Sequence, residues 1–154
     1  MPSPTGEKLI ADNRRARHDY ELLDRYEAGL VLSGTEVKSL REGRVTLPQA
    51  YAEVRDGEAW LFGLSIATYD KGGYQNHDPD RARKLLLHRR EIDSLYGKVR
   101  EQGLTLVPTR LYFKNGRVKV ELAVAKGKHV RDKRRAIAER EAKRSMERAL
   151  KFRG

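Results

Sequence analysis

The amino-acid sequence predicts a mainly β protein: an antiparallel β-barrel of the OB type with one main helix and one short helix, followed by a basic C-terminal tail. Two hairpin turns, Asp56-Gly57 and Asn115-Gly116, each join runs in which apolar and polar residues alternate. Only one long stretch, residues 88–102, has apolar residues at helical spacing. Because so small a sheet would otherwise leave exposed edges, we expect it to close into a barrel, with a ferredoxin-like sandwich as the alternative.

Length and composition indicate one domain with an appendage. The chain has 154 residues, of which 38% are hydrophobic and 36% charged, and it contains no cysteine. A disulfide framework, a cysteine zinc site and a thiol nucleophile are therefore excluded. Residues 1–6 lack a signal-peptide pattern and no apolar run reaches about 18 residues, so we expect a cytoplasmic protein without a membrane span. The expected regions are a flexible segment 1–8, a barrel 9–127 and a tail 128–154.

The first half of the chain contains a basic segment, a long strand and a short helix. Residues 13–18 are basic and lack helical apolar spacing, so we interpret them as an extended strap that leads into the first strand, residues 20–32. Thr35 is predicted to cap a short helix over residues 36–42, and Gly43 is predicted to end it.

The strand after the Asp56-Gly57 turn is followed by a loop. This strand is expected to place four apolar residues on one face: Trp60, Phe62, Leu64 and Ile66. The polar loop, residues 69–80, is expected to be functional because loops of this length are uncommon in compact domains.

The last part of the barrel combines the main helix with the second hairpin. The helix is predicted to begin at His88 and to end at Gly103. The final strand is predicted to point four residues inward: Val118, Val120, Leu122 and Val124. In total the alternation predicts about five strands.

The positive charge is concentrated at the C-terminal end. The formal net charge is +11, and residues 128–154 hold 11 Lys or Arg against 4 Asp or Glu, which is +7 of that total. A surplus of this kind indicates a polyanionic partner. Composition alone leaves nucleic acid and an anionic membrane surface as alternatives.

No catalytic motif occurs in the sequence. The four histidines are isolated from one another, and no zinc-protease, phosphate-loop, nucleophile-elbow or dinucleotide pattern is present. His77-Asp78 could act as an acid/base pair in a nuclease, although a solvated turn histidine is the commoner meaning of such a pair. The spacing of Glu27, Glu36 and Glu42 does not indicate a metal site, and surface charges are favoured. We expect no enzyme, no metal and no cofactor.

Basic residues interleaved with aromatic and amide side chains are the remaining candidate for function. A fold that gathers them on one rim would form an RNA-binding surface, whereas solvated charges without a common face are the alternative. Lysines and arginines would hold phosphates, while Asn13, His18, Tyr69 and Tyr74 would hydrogen-bond to unpaired bases or stack on them. The residues in these stretches are Asn13, Arg14, Arg15, Arg17, His18, Lys38, Arg41, Arg83, Lys84, Lys126 and Lys128.

The tail is predicted to be disordered alone and helical when bound. Residues 136–144 have high helix propensity and no proline, but the apolar stripe of the tail is thin. Such a segment folds on a polyanion rather than by itself. A basic amphipathic membrane helix is the rival interpretation, weakened by the small number of bulky apolar residues.

Five motifs occur in a fixed order between Ile10 and Arg135. They read NRRARHDY from Asn13, EAG from Glu27, GTEVKSLR from Gly34, RKLLLH from Arg83, and GK followed by DKR from Gly127. In content and order these motifs resemble the SsrA-binding protein family, also called small protein B. The family often has a second lysine where this sequence has His129.

The resemblance implies an OB-fold barrel that binds the tRNA-like part of transfer-messenger RNA (tmRNA). It implies delivery of that RNA to bacterial ribosomes stalled on mRNA without a stop codon, which is ribosome rescue by trans-translation. It also implies no enzymatic activity, cooperation with elongation factor Tu on alanyl-tmRNA, and a tail that folds as a helix in the empty mRNA channel near the small-subunit decoding centre. We expect a monomer. A nuclease and a structural ribosomal protein are the rival interpretations.

Matching positions assign part of the chain to the tmRNA-facing surface. These positions are Asn13, Arg17, His18, Glu27, Lys38, Arg83, Lys84 and Leu86, with Lys126 and Lys128 at the edge. Glu27, the acidic member of this basic set, would accept from a base or hold an arginine. The residues predicted to probe the ribosome are Asp132, Lys133, Arg134, Arg135, Arg140, Lys143 and Arg144.

Overall fold

The computed structural model describes residues 6–73 and 76–127. Within them the strands are β1 (Glu7–Asp12), β2 (Tyr20–Leu30), β3 (Val45–Thr46), β4 (Tyr51–Arg55), β5 (Glu58–Phe62), β6 (Ser65–Ile66), β7 (Arg83–Leu86), β8 (Thr105–Lys114) and β9 (Arg117–Gly127). The helices of this part are α1 (Arg14–Asp19), α2 (Gly34–Arg41) and α3 (Arg89–Gln102). None of these helices combines the length and the apolar character that a membrane crossing requires.

The main sheet closes into a barrel. Its strand order is β1-β8-β4-β5-β7-β2-β9, and a further pairing between β8 and β9 joins the two sides of the sheet. That ladder is antiparallel and runs from Thr105 opposite Ala125 to Lys114 opposite Arg117. β1 lies outside the ring as an added strand on β8. The predicted antiparallel barrel is therefore confirmed, and the ferredoxin-like alternative is wrong because that sheet would remain open.

The barrel interior follows the predicted alternation in the last hairpin. The four residues predicted to point inward are all buried: Val118, Val120, Leu122 and Val124. Ile92 and Leu95 of α3 pack into the same core. Asp56 and Asn115 have φ of 52°, each followed by a glycine with positive φ, as a type I′ turn requires. α3 ends at Gly103, whose φ of 62° gives the left-handed cap that the sequence predicts.

The basic strap is a helix rather than an extended segment. Asn13 caps α1, because its side-chain oxygen accepts a hydrogen bond from the Ala16 N–H at 3.1 Å. Ala16 is buried against Val107 and Ala125 on the outside of the barrel. Because one small side chain is enough to dock so short a helix, α1 has no repeated apolar residues. The helical spacing by which we recognise a helix in the sequence is therefore absent. Residues 6–73 and 76–127 thus contain two short helices in addition to α3.

α2 begins earlier than predicted because Ser33, not Thr35, is its N-cap. The Ser33 side chain accepts from the Glu36 N–H, and the Glu36 carboxylate accepts from the Ser33 N–H at 2.8 Å, which together form a capping box. Gly43, with φ of 71°, follows the last turn as predicted.

Two further strand predictions need correction. Trp60 and Phe62 lie on the outer face of β5, and the buried residues of that strand are Ala59 and Leu61. Gly63 has φ of 73°, which breaks the strand and reverses the alternation, so that Leu64 and Ile66 do point inward.

The number of strands and the start of the barrel also differ from the sequence predictions. β3 and β6 have two residues each, too few for a visible alternation. β1 lies partly in the segment expected to be flexible, because Glu7 and Lys8 already pair with β8.

Candidate nucleic-acid interface

Three of the predicted residues lie together on the outer face of the barrel. Glu27 of β2 and Lys84 and Leu86 of β7 line a cleft of about 510 Å³. Alternation places them there, because Leu85 between the two β7 residues is buried while Leu86 is 54% exposed. The cleft therefore joins side chains from strands that are neighbours in the sheet but distant in the sequence.

Gly29 is buried beside this cleft and lines a neighbouring one with Leu86 and Lys119. It pairs with Leu86 on one side and with Lys119 of β9 on the other. A Cβ at this position would lie 3.3 Å from the Leu86 Cβ and 3.7 Å from the Lys119 Nζ. Glycine thus lets an exposed apolar side chain and an ammonium group approach each other over bare backbone. Such a surface can take a base on its apolar part and a phosphate on the amine.

Glu27 is held by a tyrosine and a lysine. The Tyr112 hydroxyl donates to Glu27 Oε2 at 2.6 Å, and Lys114 Nζ lies 3.2 Å from the same oxygen. The hydrogen bond from Tyr112, followed by that from Lys114, holds the pKa of the Glu27 carboxyl below its ordinary value. Glu27 is therefore an ionised acceptor at neutral pH. Within the described residues no arginine holds it, contrary to one of the two roles that the sequence suggested.

The rest of the cleft contains basic residues that we did not include among the sequence-predicted sites. Lys119 flanks Gly29, and His88 and Arg89 line the cleft at the start of α3. Lys84 is partly neutralised by Glu58, whose Oε1 lies 3.1 Å from the Lys84 Nζ. The signal for Lys119 was present in the sequence, because it belongs to the outward row of the final strand. The pairing of that strand with β2 was not visible there.

Arg83 is not on this surface. Its side chain is fully buried, on the same face of β7 as Leu85. The guanidinium donates to Glu36 Oε2 at 2.7 Å and to the carbonyl of Pro79 at 2.9 Å, and it also donates to the carbonyl of Leu64. The prediction that Arg83 faces RNA is therefore wrong: the residue is an internal tie between α2, β7 and the loop before β7.

Glu36 is the centre of the same buried group. Its carboxylate is fully buried and is bound by Arg81, Arg83 and the Ser33 N–H. Burial would raise the pKa of Glu36, but the hydrogen bonds from Arg81, Ser33 and Arg83 outweigh it and lower the pKa to about 2. Glu36 is thus an ionised internal residue, and our interpretation of it as a surface charge is wrong.

The α1 residues form a second basic group at the other end of β2. Arg15 and His18 contact Asp19, Arg17 contacts Asp12, and Arg14 is exposed. Lys126 joins this group, since it pairs with Glu21 at the start of β2. Glu27 lies about 20 Å from that start at the usual rise of a strand. Lys84 and this second basic group therefore occupy two separate surfaces rather than one rim.

Asn13 is buried and acts inside the fold. Its Nδ2 donates to the carbonyl of Pro108 at 2.8 Å while its Oδ1 caps α1. Its exposed fraction is 1%, so in this conformation the side chain fixes the basic helix on β8 and does not meet a base directly.

Lys38 and Arg41 lie on the exposed side of α2. Lys38 Nζ lies 5.4 Å from the centre of the Tyr69 ring, a cation–π contact between α2 and the loop that joins β6 to β7. In the same region His77 Nδ1 lies 2.8 Å from Thr35 Oγ1, and Nε2 lies 2.9 Å from the Ile66 carbonyl oxygen. Both ring nitrogens are thus engaged in the fold, so neither the acid/base pair nor the solvated turn describes His77.

The described residues end where the tail begins. Gly127 pairs with Tyr20, so the chain leaves the barrel beside α1 and at the opposite end of β2 from Glu27. Tyr74, Lys128 and every predicted tail residue from Asp132 to Arg144 lie outside the described residues.

A small closed barrel that carries partly exposed lysines beside an exposed leucine on its outer face is the architecture of a nucleic-acid-binding module. The chain belongs to the SmpB protein family, whose model matches residues 10–152. It is 59% identical over 150 residues to the SsrA-binding protein of Parafrankia sp. (strain EAN1pec), a match that covers 97% of this chain and 95% of the relative. It is 62% identical over 148 residues to the SsrA-binding protein of Thermobifida fusca (strain YX), with 96% and 92% covered.

A solved structure has the same fold. The matching chain comes from a structure described as tmRNA-SmpB, a journey to the center of the bacterial ribosome. Its TM-score is 0.65 at 56% identity, and the match covers 77% of this chain and 83% of that chain.

Proposed function

We propose that this protein binds the tRNA-like part of tmRNA and brings it to stalled bacterial ribosomes in the cytoplasm. The observation that carries the proposal is the convergence of Glu27, Leu86 and Lys119 around Gly29. An apolar surface, an ionised acceptor and an amine are the three groups needed to stack on a base, accept from its edge or a ribose hydroxyl, and hold a phosphate. The names of the relatives and the tmRNA-SmpB structure support the identity of the RNA.

The proposal divides the work between the barrel and the tail. Gly127 pairs with Tyr20, seven residues along β2 from Glu27, so in this proposal an RNA seated on the cleft leaves residues 128–154 free to enter the ribosome. With a net charge of +7, the tail would fold against ribosomal RNA in an mRNA channel that is empty of message. In this scheme the protein acts as a monomeric binding factor rather than a catalyst, and it meets elongation factor Tu through alanyl-tmRNA.

Charge removal at Lys119 tests the cleft. We expect Lys119→Gln to weaken binding of a tRNA-like tmRNA fragment about three- to tenfold, because one phosphate contact is lost. The slope of log affinity against log salt should fall by about 0.7 to 0.9. Fluorescence anisotropy at several salt concentrations measures both quantities.

Arg100→Gln is the matched control for this experiment. It removes one exposed positive charge from the end of α3, where Arg100 contacts Tyr96 and does not line the cleft. Its affinity and slope should stay close to those of the unmodified protein. Equal losses for the two variants would mean that binding follows net charge, and the cleft would not be the RNA site.

A further inference from the structure

Tyr112 is a buried residue that the proposed RNA site does not itself contain. Its side chain is 1% exposed, and its ring lies under Arg110, whose guanidinium carbon is 4.5 Å from the ring centre. The hydroxyl makes a 2.6 Å hydrogen bond to Glu27 Oε2. Because the fold covers the ring of Tyr112, the hydroxyl is held in one place. The hydrogen bond that it donates to the carboxylate at the cleft therefore has a fixed direction.

The bond leaves the carboxylate with free acceptor capacity. Oε2 takes the Tyr112 hydroxyl and Lys114 Nζ at 3.2 Å, whereas Oε1 lies farther from the same lysine, at 3.4 Å. A carboxylate offers about four acceptor positions. Glu27 therefore keeps an oxygen able to accept from a base N–H or a ribose 2′-hydroxyl.

We infer that Tyr112 is a positioning residue of the RNA site, which holds the Glu27 carboxylate in the orientation that accepts a hydrogen bond from RNA. This inference rests on the proposed function. Without the tyrosine, the carboxylate could rotate toward the amines around it. The loss would appear in RNA recognition even though Tyr112 touches no RNA, because a preorganised acceptor loses less freedom on binding.

The charged groups around Glu27 explain why its carboxylate needs a positioning residue. Glu121 lies directly opposite on β9, and two carboxylates at such a position repel each other. Arg110 binds Glu121 at 2.6 Å. The other charged or titratable groups near Glu27 or on the same cleft are Lys114, Lys119, Lys84, Glu58, His88, Arg89 and Glu91. Lys114 and Lys119 thus attract the Glu27 oxygens, and Tyr112 is the neutral donor that fixes one of them.

The test removes a single oxygen atom. Tyr112→Phe keeps the ring that Arg110 covers and removes the hydroxyl that orients Glu27. It should weaken binding of the tmRNA fragment about fivefold or more, because part of the free energy of one charge-assisted hydrogen bond is lost from binding. In a Glu27→Gln background the same change should have little further effect. The affinity should also begin to fall at a higher pH in Tyr112→Phe, because the hydrogen bond that keeps the Glu27 carboxyl ionised is gone.

Tyr96→Phe is the matched control. It removes an exposed hydroxyl that does not line the cleft and that accepts a hydrogen bond from Arg100 at 2.6 Å. It should leave the affinity and its pH dependence unchanged. If Tyr112→Phe folds poorly, Lys114→Met at a half-exposed position tests the inference with Tyr112 kept in place. Its loss of affinity should be the same in the Glu27→Gln background, whereas a smaller loss in that background would mean that Lys114 rather than Tyr112 positions the carboxylate.

Three outcomes would overturn the inference. They are an unchanged affinity in Tyr112→Phe, an equal loss in the Glu27→Gln background, or an unshifted pH dependence. An unchanged affinity of Glu27→Gln alone would instead overturn the RNA role of Glu27 within the proposed function. Failure of the positioning role and failure of the RNA site are thereby separated.

Discussion

Arg83 and Lys84 are neighbours in the sequence with opposite environments. Arg83 points into the barrel and is fully buried with Glu36, whereas the Lys84 side chain is 41% exposed and pairs with Glu58 at the cleft. The motif alone assigns both residues to the RNA surface, because a sequence motif does not show to which side of the strand each side chain points. The two-residue period of β7 separates them, since Arg83 shares its parity with buried Leu85.

Replacing Arg83 by methionine should therefore lower stability rather than RNA affinity alone. Arg83→Met leaves the Glu36 carboxylate buried with fewer donors, and we expect the free energy of unfolding to fall by about 3 kcal/mol. Urea unfolding followed by circular dichroism measures this change.

Lys84→Met is the control at the adjacent position. Its ion pair with Glu58 is partly exposed, so the loss in the free energy of unfolding should be below about 1 kcal/mol. Equal losses for the two methionine variants would contradict the buried role of Arg83.

At the scale of elements, the sequence predicts those helices, strands and turns that rest on a periodic pattern or a turn dipeptide. It misses those that depend on a single residue. The hairpin turns, α3 and the inward row of β9 were predictable, because each rests on a periodic pattern or a turn dipeptide. α1 was missed because a single small residue, Ala16, docks it on the barrel. The prediction that Trp60 and Phe62 share a face with Leu64 and Ile66 was wrong, because Gly63 reverses the alternation of inward and outward side chains after β5. The φ of an isolated glycine cannot be read from the sequence.

The candidate site was partly predictable for the same reason. Motif resemblance named Glu27, Lys84 and Leu86, which the structure brings to one cleft. Tyr112 and Lys119 come from β8 and β9, and they reach the cleft through strand pairings that no local pattern encodes.

α3 contains a glycine that offers a direct test of the helix. Gly97 lies in its middle, and a Cβ added there would meet no atom of a neighbouring element within 4 Å, so nothing opposes a methyl group. Gly97→Ala should raise the free energy of unfolding by about 0.5 to 1 kcal/mol through helix propensity. Thermal unfolding is the measurement.

Gly103→Ala provides the opposite result on the same helix. Its left-handed φ of 62° strains any residue with a side chain, so stability should fall by about 1 kcal/mol. A loss of stability in Gly97→Ala would contradict the assignment of an unstrained helical glycine at that position.

At the scale of the whole molecule, charge and geometry are arranged along β2. The cleft lies around Glu27 and Gly29, while α1 and Lys126 carry the second basic group beside the exit of the tail. Of the net charge of +11, the tail holds +7 and residues 1–127 hold the remaining +4. Under the proposed division of work, selective RNA recognition by the barrel has to rest on the shape and chemistry of the cleft, since most of the positive charge lies in the tail.

The division between barrel and tail is the central claim, and one binding experiment tests it. The salt dependence of binding to a tRNA-like tmRNA fragment and to an elongator tRNA should be measured for the full chain and for the chain cut after Val130. We predict that the cut chain keeps its preference for the tmRNA fragment, although its overall affinity falls with the lost charge. A cut chain without that preference, with a slope reduced by about 0.7 to 0.9 for each lost phosphate contact, would contradict the account and make the tail the RNA-binding element.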